Sequence, residues 1–215
     1  MLEKMGEFFD ARLDGYEEHQ LTCIESAQEF YPFTARCLPA GKQSILDLGC
    51  GTGLELHYYF ALAPDVKVTG IDLAPGMLRT LKEKYPRKDL TLIQGSYFEV
   101  PFGEAAFDSA VSVESLHHFT REEKLPLYRK LHAALKESGF FILTDYFAPD
   151  DAYEIFYRQE LLRLKKEQGI SDDAFYHYDT PLTVAHETEA LLAAGFSKVE
   201  ILGSWGATHT LKAWK

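Results

Sequence analysis

The sequence predicts an α/β fold built on a largely parallel sheet covered on both faces, and three observations carry that prediction. Short apolar runs alternate with helical patterns from about residue 44 to residue 146, as successive βαβ units require. Several of those runs are apolar on consecutive residues, the pattern of a strand buried on both sides. The first run closes on glycines at alternate positions, Gly49, Gly51 and Gly53, and leads into a helical pattern, so a tight turn joins strand to helix there.

The elements follow in order. Residues 1–40 lie outside the alternation and read as a helical cap, with a helix from about Tyr16 to Phe30 and with Pro32 and Pro39 as stops. The strands read as "SILDLG" (44–49), "VKVTGID" (66–72), "LTLIQG" (90–95), "FDSAVSV" (107–113) and "GFFILTDY" (139–146). Between them, residues 53–63, 75–85 and 121–136 carry helical periodicity. Pro75 suits a first helical turn, Thr120 with Glu123 three residues later resembles a capping box, and Ser138-Gly139 is the expected stop of the third helix. Residues 148–182 exceed an ordinary connection and read as an inserted helical element rich in aromatic rings. A helix near 183–194 ends at Gly195. After it "KVEILGSW" and "ATHTLKAWK", with only Gly206 between them, form an antiparallel hairpin at one sheet edge. The chain reads as a single domain over 1–215, with the cap over 1–40 and the insert over 148–182.

Composition narrows the partners. The 215 residues carry a formal net charge of -11 with the acids spread along the chain, so a nucleic-acid backbone would meet a mostly repulsive surface. Cys23, Cys37 and Cys50 are odd in number and form no C-x-x-C pair, and "MLEKMGEFFD" does not resemble a secretory signal. A reducing cytoplasm is therefore expected. No apolar run approaches the roughly 20 residues that span a bilayer, and no membrane partner is expected. The sequence leaves the oligomeric state open, a homodimer included.

In an open α/β sheet, ligands bind beyond the carboxyl ends of the strands, near the point where strand order reverses. The first strand ends at Gly49, and the helix after the glycine turn offers free amide groups to an anionic moiety. The spacing is G-x-G-x-G, whereas a dinucleotide fingerprint wants its third glycine where Leu54 stands. Asp47, two residues before the first glycine, would repel a pyrophosphate and favour a cationic ligand. Asp72 closes the second strand about 20 residues on, where a carboxylate can accept both hydroxyls of a ribose. A ribose joined to local positive charge points to S-adenosylmethionine (SAM), with S-adenosylhomocysteine as the product. The same features oppose a nicotinamide oxidoreductase.

The sequence resembles the class I SAM-dependent methyltransferases through "ILDLGCGTG", "VTGIDLAPGML", "LIQGSYFEVPF", "FDSAVSVESLHHF" and "LKESGFFILTDY", in that order. The resemblance implies a Rossmann-like seven-stranded mixed sheet in the order 3-2-1-4-5-7-6 with the last strand antiparallel. It also implies that the loop of Gly49, Cys50, Gly51, Thr52 and Gly53 lies under the methionine part, Asp72 on the ribose, and Leu73 and Met77 against the adenine. Many relatives carry Asp where Ser96 stands. Here the Ser96 hydroxyl could accept from the adenine amino group, or Tyr97 and Phe98 could hold the ring by backbone contacts and stacking.

"SVESLHHF" follows the fourth strand, so its residues should face the sulfonium and the acceptor. Glu114 either holds the ammonium and steadies the sulfonium field or is a solvated acid at a helix start. His117 and His118 are candidates for a general base, His117 slightly favoured, against a packing role. Adjacent residues on a helix point apart, so no joint metal ligation is expected. Tyr16 and His19, one helical turn apart, could close over the cofactor. In the insert, Tyr153, Phe156 and Tyr157, with "FYHY" (175–178), could wall a small-molecule acceptor pocket or be core, and "RLKKE" (163–167) reads as a solvated face. Methyl transfer asks chiefly for alignment in a dry pocket, so the lack of a triad is no argument against an enzyme. Two other readings keep the ligand: a SAM-modifying enzyme of the carboxy-SAM synthase type, and a non-catalytic SAM-binding partner subunit.

Overall fold

The computed structural model describes residues 1–171 and 174–215; within the predicted insert, residues 172–173 lie outside the described residues. The chain opens with three helices, α1 (Met5–Ala11), α2 (Tyr16–Cys23) and α3 (Ala27–Cys37). The alternating region follows as β1 (Ser44–Leu48), α4 (Leu54–Leu62), β2 (Lys67–Asp72), α5 (Pro75–Lys84), β3 (Asp89–Gln94), β4 (Phe107–Val113), α6 (Arg121–Ala134) and β5 (Leu135–Tyr146). Then come α7 (Asp151–Gln168), α8 (Val184–Ala193), β6 (Lys198–Trp205) and β7 (Thr208–Trp214).

One sheet joins all seven strands in the order β3-β2-β1-β4-β5-β7-β6. Strands β1 to β5 are parallel, and β7 runs antiparallel to both neighbours. Side chains alternate faces along a strand, and both faces here are covered. Ile45, Val111 and Ile142 enter one core with Phe30 and Tyr31 of α3 and Leu56 and Tyr59 of α4. Leu46, Ala110 and Phe141 enter the other with Leu127, Tyr128 and Leu131 of α6 and Leu191 of α8. The reversal of strand order between β1 and β4 opens the crevice in which a ligand is expected.

Three boundaries differ from the sequence reading. The predicted 16–30 helix breaks at Ser26, whose φ is +59°, and resumes as α3 with Pro32 inside it. Burial of Phe30, Tyr31 and Ala35 against α4 outweighs one missing amide hydrogen bond. The third predicted helix stops at Ala134, because Leu135 already pairs with Phe107 as the first residue of β5. The hairpin turn uses both Gly206 and Ala207, with Trp205 paired to Thr208. The capping box is present: the Thr120 amide and hydroxyl both donate to Glu123 Oε2, at 2.7 and 2.9 Å.

Candidate functional site

Backbone conformation builds the turn after β1. Gly49 and Gly51 have φ of +75° and +47°, a region that costs an L side chain about 1–2 kcal/mol. A Cβ on Gly49 would stand 2.2 Å from Ser115 Oγ, whereas one on Gly51 would meet only the Tyr16 hydroxyl, at 4.0 Å. Gly49 is therefore fixed by packing, and Gly51 presents bare backbone to open space. The Gly51 amide donates to Asp72 Oδ2 at 2.9 Å and the Ala74 amide to Oδ1 at 2.8 Å. Asp72 thus ties the end of β2 to the loop and keeps a spare lone pair on each oxygen. Burial pushes its pKa up against these backbone bonds.

The crevice above this loop is lined by Tyr16, Gly49, Gly51, Asp72, Leu73 and Met77, and Tyr97 also lies on it. Its volume is only about 50 Å³, with Met5, Phe9 and Tyr16 of the N-terminal helices on its wall.

The other expected cofactor residues lie elsewhere. Asp47 is buried and faces Glu55 of α4; burial and the mutual repulsion of the two acids raise its pKa well above the ordinary range, and burial raises that of Glu55. Asp47 Oδ2 and Glu55 Oε1 have no partner. The acid expected to greet a cation is thus set against a second buried acid, outside the crevice wall. Cys50 is buried with its sulfur against Gly70, and Gly53 packs beneath Leu81. Thr52 offers its carbonyl to Lys84 Nζ at 3.0 Å. Ser96 Oγ accepts from the Phe98 amide at 3.2 Å, and the Phe98 ring stacks on Phe175. Local structure therefore engages Ser96 and Phe98.

Beside the crevice opens a cavity of about 880 Å³, and Phe9, Tyr16, Glu114 and His118 line both spaces. His19 and His117 also line the larger cavity, with Tyr146, His177 and Asp179. At its floor, Asp145 Oδ2 accepts the amides of Leu116 and His117 at 2.8 and 2.9 Å. Asp145 Oδ1 lies 2.5 Å from His117 Nδ1. Burial alone would lower the pKa of His117, but the Asp145 carboxylate outweighs it and pushes the ring up to about 9. In the ligand-free protein, His117 is therefore an imidazolium at neutral pH, with no lone pair to serve as the expected base. His118 is pushed down to about 4 by burial and by the charge on His117. Burial raises Glu114 to about 8, with Asp145 adding to the effect, and its φ of +50° marks local strain.

Both histidines approach one carboxylate oxygen: Asp179 Oδ1 lies 2.9 Å from His118 Nδ1 and 3.7 Å from His117 Nε2. The expectation that adjacent rings diverge is corrected here. Leu116–His118 forms a 3-10 turn at the end of the β4 connection, and the imidazole centroids are 4.0 Å apart.

The aromatic residues of the insert divide. His177 lines the cavity. Tyr153 and Phe156 are half or more exposed, and no residue of α7 is buried. Tyr153, Phe156 and Tyr157 thus belong neither to the cavity wall nor to the core. Arg163 pairs with Glu160 and Glu167 on an exposed face, as expected of "RLKKE". Sequence reasoning missed Asp145 and Tyr146, although both end β5, beside the sheet's ligand-binding end. Asp179, in an irregular stretch, carried no local signal.

A doubly wound sheet with a glycine turn after β1 and a carboxylate at the end of β2 is the architecture on which nucleoside ligands are commonly bound. Comparison with known proteins narrows the class. Residues 45–139 match a family model described as a methyltransferase domain. An uncharacterized methyltransferase of Synechocystis sp. is 33% identical over 109 residues, 51% of this chain and 50% of that protein. This chain therefore spans half the length of that relative. The carboxy-S-adenosyl-L-methionine synthase of Campylobacter jejuni subsp. doylei is 27% identical over 195 residues, 84% of this chain and 80% of that protein. The structure of a SAM-dependent methyltransferase from Mesorhizobium loti superposes with a TM-score of 0.63 at 21% identity, covering 86% of this chain and 96% of that one. Residues 45–139 are thus similar to a methyltransferase domain, and the chain shares the fold of the Mesorhizobium structure.

Proposed function

We propose that this protein transfers a methyl group from SAM to a small-molecule acceptor by in-line displacement at the sulfonium methyl. The observation that carries this reading is the shared wall: Phe9, Tyr16, Glu114 and His118 line both the glycine-loop crevice and the 880 Å³ cavity. A ligand in the first space would meet one in the second across these residues. The fit of SAM rests on the bare Gly51 backbone and on the spare lone pairs of Asp72, in reach of a ribose. In this reading the loop 49–53 lies under the methionine part, and Leu73 and Met77 offer apolar surface to the adenine. When bound, SAM supplies a methyl already attached to its leaving group.

The protein's task is then to hold, align and dry the reactants. Glu114 and His117 border the acceptor and orient it, while Tyr16 covers the junction. No helix among the described residues is long and apolar enough to cross a membrane. The three cysteines are unpaired, in keeping with work in a reducing cytoplasm.

Isothermal titration with SAM and S-adenosylhomocysteine tests the reading. Micromolar binding of both is expected, and folded protein that binds neither rejects it. Release of S-adenosylhomocysteine with a panel of small acceptors then tests transfer. One relative favours a second reading, because the Campylobacter carboxy-SAM synthase aligns over most of both chains. Carboxylated SAM found by mass spectrometry in the purified protein would favour it.

A further inference from the structure

We propose that His117, His118 and Asp179 form a binding site for a divalent first-row transition ion of the zinc class, open toward the acceptor cavity. His117 Nε2, His118 Nδ1 and Asp179 Oδ1 come from the turn after β4 and from the stretch before α8, and all lie within 4.8 Å of one another. Ligand atoms around a tetrahedral zinc with bonds of about 2.0 Å stand about 3.3 Å apart. The distances of 2.9 and 3.7 Å straddle that value.

A plain ion pair would need one imidazole. Here two converge on a single oxygen, and although His118 Nδ1 is 2.9 Å from Asp179 Oδ1, neither atom has a partner in hydrogen-bond geometry. His118 is only 7% exposed, so water does not relieve it. An ion bound between these atoms would satisfy both.

The surroundings are those that ion ligands need. His117 Nδ1 is held by Asp145, itself anchored by two backbone amides, so an ion that displaces the Nε2 proton to solvent finds that nitrogen free to ligate it; a carboxylate behind a ligating histidine is the usual support. Tyr146 stands on the same cavity wall as Asp179. His117, His118, Tyr146 and Asp179 all border the 880 Å³ cavity, which provides an entry path and leaves a coordination position for water or a ligand oxygen. Two imidazoles and one carboxylate suit zinc, iron(II) or nickel better than magnesium or calcium. The ion site stands on geometry alone. Its use to hold the oxygen of an acceptor rests on the methyl-transfer reading.

The test is calorimetric titration of chelator-stripped protein with zinc chloride, alongside His118→Ala and Asp179→Asn variants whose folding is checked by circular dichroism. The wild type should bind one equivalent that each variant loses, with affinity down at least a hundredfold. Asp145→Asn should weaken it about 10–100-fold, as loss of an outer partner does. Cobalt(II) should give the wild type a visible d–d absorption, a readout independent of any variant. Equal zinc binding by wild type and His118→Ala would mark an adventitious surface site and overturn the proposal. So would absence of both zinc binding and the cobalt band. SAM titration of the same samples separates the two readings, since either ligand can bind without the other.

Discussion

Asp72 was legible in the sequence as an acid at the end of the second strand, but its second duty was not. Its oxygens also hold the amides of Gly51 and Ala74. Asp72→Asn keeps the shape and removes the charge. A hydrogen bond to a charged group contributes about 1.5–3 kcal/mol, so the Kd for SAM should rise about tenfold or more, read by calorimetry. Unchanged affinity would place the ribose elsewhere. Asp47 was read from the same motif as a host for positive charge, and tertiary contact changed its meaning by setting Glu55 against it. Both acids have raised folded pKa values, against unfolded values of about 4. Their contribution to stability is therefore fully present below about pH 4 and is lost as pH rises through the raised values. The melting temperature of the ligand-free protein should fall as pH rises above about 4, and that of Asp47→Asn should fall less. Equal slopes would mean that the pair is not protonated in the folded state.

At the level of elements, the strands and the helices between them followed from periodicity, because each buries its pattern in the sheet or against it. The failures came where partners decide. Pro32 did not end α3, since the helix is held by its face on α4, and Leu135 left the helical pattern to pair with Phe107. The turn after β3 is braced from afar: Lys130 Nζ of α6 donates to the carbonyls of Tyr97, Phe98 and Val100 at 2.6, 2.9 and 2.9 Å. Lys130→Met should cost about 1 kcal/mol, the low end because the ammonium is only partly buried. It should also speed amide hydrogen exchange over residues 97–100. Unaltered exchange there would show that the turn holds itself.

For the whole molecule, the decisive relation is between the N-terminal helices and the crevice. A space of about 50 Å³ is far below the roughly 300 Å³ at which small-molecule pockets begin, and Met5, Phe9 and Tyr16 are what narrow it. SAM can enter only if α1 and α2 shift and then repack over it. Deuterium uptake across residues 5–23 should therefore fall when SAM is added to saturation. Tyr16→Ala should raise uptake over the same residues in the free protein. Uptake indifferent to SAM would mean that the cap is no lid.

The sequence by itself determined the strands, the glycine turn and the acid that closes β2, because these depend on local backbone demands and on which residues can be buried. The convergence of His117, His118 and Asp179 and the pairing of Asp47 with Glu55 were decided only by tertiary structure. Each joins residues distant along the chain or turned by an unusual backbone, and the distance between their polar atoms, which sets their charge and their ligands, exists only once the core has packed.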